Sequence, residues 1–373
     1  MEPDSNAVPL IYAVPADLGS GAAHRVHVVK MTTALRRIGL GVDLCVRAAP
    51  SDDTLMTDFE LRETLDAIRI GDRYWGPDSL RFALGVRAHA KRGQKLLTRN
   101  LLTACVGVLS GHMTLLELHS PVESFRSRML CRFFIRHPRA LGMIVITSAL
   151  KNRYVQDFGR AIAPYIHVLP DAADPVTQRE TVQSAADRAG PVVGYVGSFL
   201  PGKGAEQVLK IAALMPEVRF VLIGGPVTAL AGLSVPPNVQ MPGPLPHAVA
   251  MQQTASLDVA LLPNQARVFV SGGSVDIGRW TSPLKLFEYM AAARPIVASR
   301  LPVLEEVLTD DRNALLADPA SPNDWVDKIR RILDEPALAE RLSKAAHSDF
   351  QNNYSWTARA ERTADILGLK VVS

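Results

Sequence analysis

Cysteine is scarce: three residues in 373, Cys45, Cys105 and Cys131. They are too few and too scattered to frame a disulfide-stapled fold, and no Cys-x-x-Cys pair or Cys/His cluster suggests structural zinc. A reducing compartment is the natural expectation. Long apolar runs are also missing. A membrane-spanning helix needs about 20 predominantly apolar residues, and the best candidate, 101–118, is broken by Thr103, Gly107, Ser110, Gly111, His112 and Thr114. The opening MEPDSNAVPLIYAV starts acidic and has no basic flank before a long apolar stretch, so no secretory leader is expected. The nucleotide-binding fingerprints GxGxxG and GxxxxGK[ST] are absent, which disfavours a nicotinamide dehydrogenase and a Walker-type NTPase. No HExxH or clustered carboxylate/histidine metal site occurs, and no Gly-x-Ser-x-Gly elbow points to an α/β-hydrolase.

What remains is ordinary globular material: 47% apolar, 21% charged, mean hydropathy +0.09. The length suggests two domains at roughly 100–200 residues each. Net charge is only +4, but residues 79–160 hold 14 Lys/Arg against 3 Asp/Glu. Two stretches dominate, 81–99 and 126–139. They are either solvated helix faces or a surface that meets anionic lipid. Nucleic acid is disfavoured, because no recognition module accompanies the charge.

Periodicity gives alternating strands and helices. Leu10–Val14 reads as a strand, Pro15–Ala23 as a small-residue loop with Gly19 and Gly21, and Val28, Met31, Leu35 and Ile38 recur at helical spacing before a second strand at Val42–Val46. Helices are expected near 57–70 and across the basic stretch to about Leu109, a strand ends at His119, and helix 122–136 follows. Residues 178–190 are polar and read as a linker. The second half repeats the pattern, ending in a mostly helical 323–368. The expected class is α/β: two Rossmann-like, doubly wound parallel-sheet domains facing a cleft, with ligands beyond the carboxyl ends of the strands. The expected division is 1–176, 190–350 and a C-terminal helix in 351–373 packing back on the N-terminal domain.

Two segments carry chemistry. In VVGYVGSFLPGKGAEQ a strand enters a loop with Gly197, Ser198, Gly202, Lys203 and Gly204 and then a helix, a setting in which amides and an ammonium could meet an anion. In TSPLKLFEYMAAARPIVAS, Ser282 can N-cap a helix whose first position is Pro283. Lys285 then sits in the first turn, unfavourably for the helix dipole unless an anion is near. Glu288, further along that helix, could accept ribose hydroxyls or simply be solvated.

SPLKLFEYMAAARPIVAS with LPVLEEVL resembles the donor-site segment of retaining GT-B glycosyltransferases of the family-four (group 1) type. GYVGSF…KG, FVLIGGP and NVQMPGPLPHAVAMQQTASLDVALLP follow the family's order, over about 190–360. The resemblance implies a glycosyltransferase that moves a sugar from a nucleotide diphosphate sugar, a UDP- or GDP-sugar, to a carbohydrate or lipid-linked acceptor with retention of configuration. It implies no bound cofactor and no metal. Lys203 would contact the diphosphate, Glu288 the ribose, and the amides around the segment Ser282, Pro283, Leu284, beside Lys285, the phosphates. Gly197, Ser198, Gly224 and Met241 would line the donor pocket. His119 resembles a histidine near the transferred sugar, and Gly19, Gly21 and Arg25 are the acceptor candidates. Two positions depart from the pattern: Trp280 stands where the first glutamate of Glu-x7-Glu is usual, and Ser198 where a basic residue often precedes the lysine. Epimerisation of a nucleotide sugar at C2, or nucleotide-sugar binding without catalysis, would use the same residues. The expected location is cytoplasmic, peripheral to the inner face of a membrane.

Overall fold

The computed structural model describes residues 10–19, 23–59, 61–70, 77–176, 190–269 and 276–370. Gly21 and most of the expected linker, residues 178–189, lie outside these. The chain divides into two compact units, one running to Pro170 and resuming at Trp356, the other Asp171–Ser355.

The first unit alternates β1 (Leu10–Asp17), α1 (Ala23–Arg37), β2 (Val42–Ala48), α2 (Asp52–Phe59), β3 (Ile68–Arg69), α3 (Asp78–His89), β4 (Lys95–Thr98), α4 (Leu101–Leu109), β5 (Thr114–Leu118), α5 (Phe125–Arg136), β6 (Ala140–Val145), α6 (Ser148–Phe158) and β7 (Ile166–Val168). The strands form one sheet in the order β3-β2-β1-β4-β5-β6-β7, and every pairing is parallel. Helices cover both faces of such a sheet, so its strands are buried on both sides; all five residues of β5 are buried.

Two helix expectations need correction. The stretch 57–70 is not one helix: α2 ends at Phe59, and Ile68–Arg69 pairs with β2 as a short edge strand. The basic stretch is not continuous helix either, because Lys95–Thr98 forms β4 between β1 and β5. Four residues are too few for strand alternation to show, and the flanking lysines and arginines mask the apolar Leu96-Leu97 pair.

A segment distant in sequence completes this unit. Helix α12 (Trp356–Leu367) packs against α1. Buried Arg359 donates to the carbonyls of Leu169 and Pro170. The Lys95 ammonium donates to the carbonyls of Leu367 and Gly368, a cation placed where the helix dipole favours one.

The second unit runs β8 (Val192–Ser198), α7 (Ala205–Ala213), β9 (Arg219–Gly225), β10 (Val239–Gly243), α8 (His247–Ala255), β11 (Val259–Leu262), α9 (Leu284–Ala291), β12 (Ile296–Ser299), β13 (Leu315–Ala317), α10 (Pro322–Asp334) and α11 (Pro336–Asn353). Its parallel sheet has the order β10-β9-β8-β11-β12-β13. Alternate side chains of β8 feed two cores. Val193 and Tyr195 join Phe220, Leu222, Trp325 and Ile329 on one face. Val192 and Val196 join Ile223, Phe287, Tyr289 and Phe350 on the other.

In both sheets the strand order reverses beside the unit's first strand, between β1 and β4 and between β8 and β11. Ligands of doubly wound sheets bind beyond the strand carboxyl ends at that switch point. All three cysteines are free and buried; burial pushes the thiols of Cys45 and Cys131 up to about 12 and that of Cys105 to about 11. Among the described residues no helix is long and apolar enough to cross a membrane.

Candidate active site

At the switch point of the second unit, β8 ends at Ser198 and its loop carries Lys203 into α7. The loop is pressed against the segment after β11. Gly204 has φ +89°, and a Cβ there would lie 1.9 Å from the carbonyl oxygen of Pro263, so no other residue fits without moving backbone. Gly197, φ +149°, lies under Lys285: a Cβ would come within 2.9 Å of its Nζ.

Lys285 projects from the first turn of α9 into this place and is only 9% exposed. Its Nζ donates to Tyr195 Oη at 2.7 Å and stands 4.1 Å from the centre of that ring. Tyr195 Oη in turn donates to the Ser198 carbonyl at 2.5 Å. One helical turn on, Tyr289 Oη accepts from Val196 N–H at 2.9 Å. These two side chains at i and i+4 tie the start of α9 to the end of β8. Burial, then the nearby Lys203, drive the Lys285 ammonium well below the ordinary lysine range, with Glu288 pulling the other way. Burial also lowers Lys203. Among the described residues neither lysine has a carboxylate within 4.0 Å. Two poorly solvated ammoniums thus meet at a helix N-terminus whose first amides have no partner within the helix, an arrangement built to take up an anion.

Ser282 has a different role from the expected cap. The helix begins at Leu284 with Pro283 in the capping position and no side-chain cap; Ser282 Oγ instead accepts from Asp171 N–H at 3.0 Å. The Asp171 amide takes the hydroxyl oxygen that a local cap would have used. Glu288 is not a solvated helix residue: its Oε1 lies 2.9 Å from His247 Nε2, at the start of α8. Gly224 pairs in register with Gly197, while Met241 lies on β10 and packs on the core. Trp280 is half-buried in the turn before Ser282.

In the first unit His119 follows β5, and its Nε2 lies 2.5 Å from Glu117 Oε1. Glu117 is 1% exposed. The same oxygen is 3.0 Å from His27 Nε2, 3.1 Å from Arg359 and 4.0 Å from Arg99. Desolvation pushes the Glu117 carboxyl up; His27, Arg359 and the hydrogen bonds from His119 and His27 outweigh it and hold it well below the carboxylate range. His27 comes from α1. It is buried, with its ring 5.1 Å from that of His119 and 5.0 Å from that of Trp356. Gly19 N–H donates to Asp17 Oδ1 at 2.8 Å beyond β1. Arg25 pairs with Asp58 and lies 4.8 Å over the Phe59 ring, so its guanidinium is committed to α2.

Tyr195, His247 and Arg359 escaped the sequence reading. The one available signal was Glu117 itself: a carboxylate in the middle of the apolar strand TLLEL implies buried cationic partners. Nothing in the sequence says which they are.

Residues 190–335 match the sequence profile described as "Glycosyl transferases group 1". The chain is 30% identical to a D-inositol 3-phosphate glycosyltransferase of Mycolicibacterium smegmatis over 173 residues, 44% of this chain and 37% of that protein. It is 23% identical to the enzyme of the same name from Kineococcus radiotolerans over 93% of this chain and 90% of that one. The chain thus spans well under half of the first relative's length and most of the second's. Among solved structures, sucrose-phosphate synthase from Thermosynechococcus elongatus superposes with TM-score 0.69 at 20% identity, over 96% of this chain and 98% of that one. HepE of Anabaena in complex with UDP gives TM-score 0.73 at 13% identity, over 96% and 99%. Residues 190–335 thus resemble a group 1 glycosyltransferase domain, and the chain as a whole shares the two-domain GT-B fold of these solved structures.

Proposed function

We propose that the protein transfers a sugar from a nucleoside diphosphate sugar, a UDP- or GDP-sugar, to a carbohydrate or lipid-linked acceptor, with retention at the anomeric carbon. The observation that carries this is the pair of desolvated lysines, Lys203 and Lys285, at the switch point of the second unit. When the glycosidic bond of the donor breaks, negative charge gathers on the β-phosphate. The two lysine side chains, charged once the diphosphate is bound, and the amides at the start of α9 stabilise that charge where it develops, from positions fixed by the fold. Glu288 accepts the ribose hydroxyls, with His247 holding its carboxylate in position. Gly197, Ser198, Gly224 and Met241 line the donor pocket, Leu284 and the residue after it bring the amides behind Pro283, and Ser282 acts by fixing that segment. In the first unit, His119 touches the transferred sugar, and the loop with Gly19 and Gly21, beside Arg25, lies with the acceptor. Retention follows from attack on the face the leaving group departs from, and this requires no enzymic base on the opposite face. A UDP donor is favoured by the UDP and UDP-glucose complexes of HepE. The basic surface of the first unit favours a lipid-linked acceptor at an anionic membrane, with the protein on its cytoplasmic side.

Thermal denaturation with UDP-, GDP-, ADP- and TDP-sugars tests the donor site. A ligand at a hundred times its Kd stabilises by about 2.7 kcal/mol. One nucleotide series should therefore raise Tm by several degrees. Glu288→Ala should remove most of that rise, and His247→Ala part of it. If no series raises Tm at millimolar concentration, the donor site is wrongly assigned.

A further inference from the structure

Helix α5 buries Cys131 and Phe134, and its start is fixed by Ser124 Oγ, which accepts from Ser127 N–H at 3.1 Å. Its other face is unusual. Phe125, Met129 and Phe133 are 78%, 52% and 40% exposed. They follow one another at intervals of four, so they form one ridge along the helix, about 12 Å long at 1.5 Å per residue. Leu109, 67% exposed, ends α4, the helix against which α5 packs. Beside the ridge, Arg126, Arg132, Arg136 and Arg139 are exposed. Among the described residues none of these four has a carboxylate within 4.0 Å; in this region only Arg128 does, at 3.3 Å from Asp157. The other basic stretch differs. Arg81 pairs with Asp78, Lys95 is spent on α12, and Arg99 approaches Glu117. That leaves Arg87, Lys91 and Arg92 open, with no large exposed apolar residue among them.

We propose that α5 is an interfacial helix that lays the Phe125–Met129–Phe133 ridge into the headgroup boundary of an anionic bilayer, with Arg126, Arg132, Arg136 and Arg139 on the lipid phosphates. An apolar ridge edged by arginines with no carboxylate partner, of which Arg132 also lies 6.0 Å over the Phe158 ring, matches a surface that is apolar inside and anionic outside. A nucleic acid would use the charge but leave Met129 without a partner, and an ordinary protein interface would not call for so many arginines without an acid. The inference rests on the membrane-proximal reading of the acceptor given above, and it locates the contact on one helix. Each arginine adds electrostatic attraction that salt screens, whereas the ridge adds attraction that salt does not.

Sedimentation with vesicles of phosphatidylcholine and phosphatidylglycerol, 70:30, at low salt tests this without any donor present, so its failure leaves glycosyl transfer untouched. The protein should sediment with these vesicles and not with pure phosphatidylcholine. The triple variant Phe125→Ser, Met129→Ser, Phe133→Ser should partition at least tenfold less and keep both its Tm and its transfer to a soluble acceptor. The triple variant Arg126→Gln, Arg136→Gln, Arg139→Gln should also lose at least tenfold. Arg87→Gln, Lys91→Gln, Arg92→Gln should stay within about threefold of the parent. Three results would overturn the proposal: no loss in the serine triple; a larger loss from the 87–92 set; or a ridge occupied otherwise, seen as tighter binding to poly(U) than to vesicles or as a dimer that the serine triple dissociates.

Discussion

Lys285→Met is expected to lower kcat by about a hundred- to a thousandfold, the cost of removing one preorganised group that meets charge developing in a transition state, while leaving Tm unchanged or higher. The two outcomes have one cause. In the free protein this ammonium is desolvated and faces a second lysine, so folding is better served by an apolar chain of similar volume. The charge is useful only when an anion is present. Burial holds the Lys285 pKa below its unfolded value. The folded free protein therefore binds fewer protons than the unfolded chain, and its stability rises with pH until the ordinary lysine pKa of about 10.4 is passed. Diphosphate reverses the preference, since it favours the charged form, and binding must take up protons. Titration calorimetry of UDP in buffers of different ionisation enthalpy, between about pH 7.5 and 9.5, should show that uptake in the parent and less of it in Lys285→Met. Equal heats in all buffers would mean that the lysines do not meet the diphosphate.

The second large effect is on stability. Glu117→Gln leaves Arg359 buried beside a neutral group, and breaking a buried ion pair from one side costs about 3–5 kcal/mol. For a unit of this size each kcal/mol is worth about 2–4 °C, so Tm of the first unit should fall by on the order of 10 °C. Arg359→Met should cost a similar amount, and the double variant less than the sum of the two, because the residues share one network. Additive losses would show that the contact is energetically idle. The depressed carboxyl of Glu117 sets a pH dependence. Its contribution is complete above the ordinary carboxyl range, near about 4, and is lost as pH falls towards its lowered folded value. Glu117→Gln should therefore flatten the acid limb of a Tm–pH profile. His119 takes its orientation from the same oxygen, so the variant should lose turnover as well as stability.

What the sequence disclosed depended on how local each signal was. The strand, loop and helix around Lys203, and the order Ser282-Pro283-Leu284-Lys285 before Glu288, lie within short windows. Periodicity and the family resemblance both reach them. β4 was hidden because Lys95–Thr98 is four residues long and sits among charges. The partners of Glu117 were hidden for another reason: Arg359 lies 242 positions away and His27 comes from the first helix. A buried carboxylate announces that a cation is needed and not where it comes from. His247 and Glu288, 41 positions apart, are the same case on a shorter span. Ser282 misled because the pattern Ser-Pro before a helix is a sound capping signal that tertiary contact with Asp171 overrides.

The return of Trp356–Leu367 to the first unit bears on how the chain is born. Synthesis delivers β1 to β7 first, then all of the second unit, and only then Arg359 and Trp356. At roughly 5–20 residues per second, the nascent N-terminal sheet waits tens of seconds with the flank of α1 uncovered and Glu117 short of its arginine. The interrupting unit, by contrast, has its whole sheet and core in one uninterrupted stretch and can mature while the ribosome is still at work. The unit made first is thus finished only after the second has been made, and a chain cut before Trp356 would be injured in a sheet far upstream of the cut.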